Sequence, residues 1–65
     1  MRILATYTGR SSGGYIQGST YKLRVHGSMI RREDGSIGNG GERTYNSLRS
    51  FLTEWSMISV FNDGP

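Results

Sequence analysis

Glycine divides this 65-residue chain so finely that only brief strands and one short helix fit between the breaks. Of its ten glycines, four fall between Gly9 and Gly18 and four between Gly35 and Gly41. Glycine loses the most conformational freedom on ordering and is at home in turns, so each cluster ends regular structure. Short strands joined by glycine-rich turns favour a small, strongly bent sheet.

The stretches between the clusters can be read by periodicity. From Arg2 to Tyr7, Ile3, Ala5 and Tyr7 share one face, while Arg2, Leu4 and Thr6 share the other, which is strand alternation. Gly9 to Ser19 is a glycine-serine loop interrupted by Tyr15-Ile16. Thr20 to His26 alternates again, with Tyr21, Leu23 and Val25 opposite Lys22, Arg24 and His26. Gly27-Ser28 predicts a tight turn. Met29 to Arg32 is a third strand, and Asp34-Gly35 signals a hairpin. Ile37 opens a fourth segment, with a flexible loop or bulge at Gly38–Gly41 before Glu42-Arg43-Thr44-Tyr45.

Asn46 or Ser47 is expected to cap a helix of about two turns. Leu48, Phe51, Leu52 and Trp55 would form its apolar stripe at i, i+3, i+4 and i+7. Met57 to Phe61 is a final strand. Residues 1–61 thus predict one small, mainly β domain. Its order is four strands, a helix and a strand, in an SH3-like, partly open barrel with the helix as its plug. Residues 62–65 read as a frayed tail.

A chain this short is marginal alone, and with no cysteine it has no disulfide to help. That predicts a compact barrel, oligomerisation or both. No apolar run approaches the ~20 residues of a transmembrane helix. The formal charge is +3, and seven of the eight cations are arginine. Arginine is favoured over lysine where planar, bidentate recognition of phosphate is needed.

Catalytic and metal chemistry find little support. His26 is the only histidine, and neither metal-ligand spacing nor a cofactor motif is present. Ser28, His26 and Asp34 supply a triad's residue types, but a barrel this size has little room for a pocket with an oxyanion hole. No enzymatic activity is expected. Binding has better material. Arg10, Ser11, Ser12 and Gly13 could form an anion-binding nest, against the alternative of a flexible loop with no ligand. Arg24 and His26 make a cationic ridge with Lys22, which could equally be a solvated face. Arg31 and Arg32 face opposite ways, so one of them can meet a given ligand. Tyr15 has no strand face to explain it, and stacking on a base or packing into a neighbouring subunit would. Trp55, Tyr7 and Tyr21 are expected in the core, and Tyr45 partly exposed at the ligand.

The runs Tyr7-Thr8-Gly9, Gly13-Gly14-Tyr15, Gly18-Ser19-Thr20-Tyr21 and Arg32-Glu33-Asp34-Gly35-Ser36, with Leu48 to Trp55, resemble the small SH3-like accessory proteins of tailed phages. Within that group the chain is most similar to the anti-CBASS sponge proteins. The resemblance implies a non-enzymatic protein of the host bacterium's cytoplasm. It would sequester a cyclic dinucleotide such as cyclic GMP-AMP in pockets of a homo-oligomer, with four subunits the expected number. Two alternatives stand beside it: a single-stranded nucleic-acid-binding module, and a phage protein that inhibits a host protein or forms part of the virion. Scattered acids beside the cations favour a discrete ligand over a long polyanion.

Overall fold

A computed structural model describes residues 1–33 and 42–61. The expected hairpin at Asp34-Gly35, the segment opened by Ile37, the Gly38–Gly41 loop and the tail at 62–65 lie outside the described residues. Within them, the chain forms one antiparallel sheet of five strands: β1 (Arg2–Tyr7), β2 (Thr20–His26), β3 (Met29–Arg32), β4 (Arg43–Thr44) and β5 (Trp55–Phe61). A helix, α1 (Leu48–Leu52), precedes β5. The spatial order is β4-β3-β2-β1-β5, a meander whose last strand returns beside the first. The sheet is not closed, so the chain is the expected small, mainly β and partly open fold with one short helix.

Alternation sets the faces as expected. Ile3, Ala5, Tyr7, Leu23, Ile30 and Trp55 are buried, and Tyr21, Val25, Phe51 and Ile58 pack against them. Gly27 takes φ 59 at the first position of the two-residue turn between β2 and β3. A hairpin with positive φ there keeps the strands' native twist. The turn also fixes the register, so that His26 faces Met29 and Arg24 faces Arg31.

Two expectations about α1 need correction. Ser47 is its N-cap, accepting a 3.1 Å bond from the Ser50 amide. The helix then runs for only five residues and stops at Thr53, whose hydroxyl donates to the Ser50 carbonyl at 2.6 Å. Trp55 therefore opens β5 and is no part of a helical stripe. Leu48 and Leu52 are 72% and 50% exposed, and Phe51 alone carries the helix's contact with the core. A helix of little more than one turn cannot present i and i+7 to the same neighbour.

β5 carries a bulge. Leu4 pairs with Ser59 and Thr6 with Ser56, so β5 has one more residue than β1 between these pairs. Met57 within it adopts φ 51, the one non-glycine residue with positive φ among the described residues.

Candidate phosphate-binding face

The glycine-serine loop proves to be a folded structure. Ser12 and Tyr15 exchange two 2.9 Å backbone bonds across Gly13 and Gly14, whose φ values are 55 and 93. This is a second tight hairpin, nested inside the loop. The Gly18 amide donates to the Tyr7 carbonyl, the Ser19 amide to Ile16, the Gln17 amide to Ser11 Oγ and the Ile16 amide to the Tyr21 hydroxyl. Of the four residues of the expected nest, the Ser12 amide is engaged within the protein. The loop is thus a folded cover over the core and not a flexible connection, with Arg10, Ser11 and Ser12 exposed on it.

Tyr15 is the clearest correction. It is 1% exposed and belongs to the core, where its ring meets Tyr7, Tyr21 and Trp55 at centroid distances of 5.6, 5.1 and 5.2 Å. Burial pushes its phenol up to about 12, against the opposing pull of Arg43 and Arg32. A ring covered on all sides cannot stack on a base or reach a neighbouring subunit.

Arg43 ties the loop down. From β4 its Nη1 donates to the Tyr7 hydroxyl at 2.7 Å, and its Nη2 donates to the carbonyl and Oγ of Ser12, each at 2.8 Å. The guanidinium lies 5.0 Å from the centroids of both Tyr7 and Tyr15. Arg32 does similar work: Nη1 donates to the Gly14 carbonyl at 2.8 Å, with the guanidinium 4.7 Å over the Tyr21 ring. These two arginines hold the fold together.

The expected ligand residues therefore divide among three places. Arg10, Ser11, Ser12, Gly13, Tyr15 and Arg32 belong to the loop and the core beneath it. Tyr45 stands apart, its hydroxyl donating to Glu54 Oε1 at 2.7 Å and accepting from Trp55 Nε1 at 2.9 Å. Burial, followed by the bond to Glu54, raises its phenol above the ordinary range. Arg24 and His26 lie on the opposite, solvent side of the sheet, both exposed.

That solvent side holds an arrangement the sequence did not reveal. Arg24 on β2 is directly opposite Arg2 on β1 and, on its other side, directly opposite Arg31 on β3. Directly paired residues share a face, so three arginines form a row across three neighbouring strands. Lys22 and His26 flank Arg24 on the same face of β2. Among the described residues one acid answers them: Glu33 receives a bidentate pair from Arg2, with Nε to Oε2 at 2.7 Å and Nη2 to Oε1. That bond holds the Glu33 carboxyl below its usual range, and the charges of Arg24 and Lys22 add to the effect. Arg2 also stacks on Phe61 of β5, 4.6 Å from the ring centroid. Alternation alone points to Arg24 and leaves open which of Arg31 and Arg32 joins it, and it does not single out Arg2. The register across the Gly27-Ser28 turn would have supplied Arg31.

Among the described residues, no cluster of three or more His, Cys, Asp or Glu could hold a metal, and no helix is long and apolar enough to cross a membrane. No family model, curated protein or solved structure matches the chain.

Proposed function

We propose that the protein is a non-enzymatic binder of phosphodiester ligands, and that its ligand is a cyclic dinucleotide immune signal, held and not altered. One observation carries the reading: Arg24 stands between two other arginines in adjacent strands. Like charges set directly opposite one another destabilise a sheet by a few tenths to ~1 kcal/mol per pair. Glu33 offsets part of that cost through Arg2, and an anionic ligand across the row would offset the rest. Arginine forks suit phosphate oxygens, and no reacting group is needed for sequestration. The resemblance to phage sponge proteins supplies the choice of ligand.

A second reading, single-stranded nucleic acid, is favoured by the shape of the row. It lies on the outer surface of a sheet, whereas small-ligand sites are concave. Titration with cyclic GMP-AMP and with oligothymidylate over a range of salt separates the two. A polymer gives a steep logarithmic salt slope, roughly 0.7 per neutralised phosphate. In either case Arg24→Gln should weaken binding about ten- to a hundredfold, the loss of one charge-assisted contact. The bound dinucleotide should be recovered intact after heat denaturation. Wild-type affinity in Arg24→Gln would remove the row as the site, and recovery of hydrolysed ligand would make the protein an enzyme.

A further inference from the structure

Beside α1, on the core-facing side of the sheet, lies a groove of ≈ 430 Å³. Ile3, Val25, Ile30, Phe51 and Ile58 line it, along with Met1, Leu48 and Val60, which are 66%, 72% and 64% exposed. None of its described lining residues is Arg, Lys, His, Asp or Glu. We infer that this groove is the interface between two copies of this chain, related by a two-fold axis.

Three observations select a second copy as the occupant. The first is charge. The chain carries +3, and two copies meeting through their cationic faces would repel. Meeting through this groove, whose described lining holds no ionised side chain and whose Met1 ammonium donates to the Val25 carbonyl at 3.3 Å, keeps the arginine rows apart and exposed. The second is area. A stable interface removes about 800 Å² per partner, roughly a fifth of the 4460 Å² surface here. Met1, Leu48 and Val60 are each more than half exposed, and the groove walls and Leu52, one turn along α1, add to the apolar area available. The third is the helix. None of its residues is buried, so α1 offers Leu48 and Leu52 as knobs that the monomer leaves unpacked. A two-fold axis lets the same knobs and groove serve both copies. The inference does not depend on the ligand, because the arginine row lies on the other face of the sheet.

Sedimentation velocity of the full chain, from about 5 to about 300 µM, tests it. The expected wild-type species has twice the 7.2 kDa chain mass. Leu48→Glu should weaken self-association by about thirtyfold or more, the effect of losing a central anchor. Lys22→Glu, on the opposite face, should leave the dimer intact. Circular dichroism melts report whether Leu48→Glu folds, and if it does not, Val60→Thr keeps the β-branched strand residue and decides the matter. A wild-type chain that remains at 7.2 kDa throughout overturns the inference. If that monomer takes up a fluorescent fatty-acid probe, the groove holds an apolar small molecule instead. A Leu48→Glu chain that dimerises like wild type overturns the location.

Discussion

Tyr15 sits where local sequence is a poor guide. Apart from Ile16 its neighbours are glycine, serine and glutamine, and nothing in the spacing marks it as apolar core. Its environment is set from far along the chain: Trp55 and Tyr7 provide the walls, and Arg43 provides a cation over the ring. Tyr15→Ala should therefore cost about 3–5 kcal/mol of stability, as for other large aromatic truncations, and denaturant melts would show it. The phenol adds a pH dependence. Its folded-state value is raised from 10.0 to about 12, so protonation favours the folded form. That contribution is complete below pH 10 and is lost as pH rises from 10 to about 12, at about 1.4 kcal/mol per unit. Stability measured at about pH 9 and about pH 11.5 should differ accordingly, and the difference should shrink in a Tyr15→Phe chain, with Tyr45, whose phenol is also raised, supplying a remainder. Arg24 illustrates the opposite case. Its type and exposure were plain from alternation, but its significance came only with Arg2 and Arg31 beside it.

At the level of elements, β1 and β2 were legible because each alternates over its whole length, and β3 because the Gly27-Ser28 turn precedes it and a hairpin signal follows it. The helix was legible at its start, where Asn46 and Ser47 both suit a cap and Ser47 is the one that forms it, and illegible at its end. Leu48, Phe51, Leu52 and Trp55 satisfy a helical period, yet the stretch from Trp55 to Phe61 is aromatic and β-branched and pairs with β1. Tertiary pairing overrides a weak helical pattern. The bulge in β5 leaves a mark of its own. Met57 holds a left-handed backbone conformation, which costs a residue with a Cβ roughly 1–2 kcal/mol. Its side chain is 81% exposed, so little packing is lost by removing it. Met57→Gly should raise stability by up to about 1 kcal/mol, once the greater freedom of unfolded glycine is counted. A higher melting temperature would confirm it.

Over the whole molecule, charge is divided as cleanly as apolar surface. Arg2, Lys22, Arg24 and Arg31 with Glu33 account for the entire formal charge of +3, and the other four cations are matched by the other four acids. Salt should therefore stabilise the ligand-free protein by screening the arginine row. Melting temperature should rise between about 0.05 and about 0.5 M sodium chloride, and Arg24→Gln should lose most of that rise. The β2–β3 half of the row could be read from the sequence because a two-residue turn dictates register. The β1–β2 half could not, since twelve residues separate the strands and no local rule fixes which residues meet across them. Those twelve residues have one more consequence. A glycine-rich surface loop is ordinarily where a chain accepts a cut, an inserted tag or new termini. Here the bend at Gly13-Gly14 delivers Tyr15 into the core, and two arginines from distant strands grip the carbonyls of Ser12 and Gly14. A break at that bend would take away part of the hydrophobic interior. The stretch that looks most expendable is thus one of the least suitable places to open this chain.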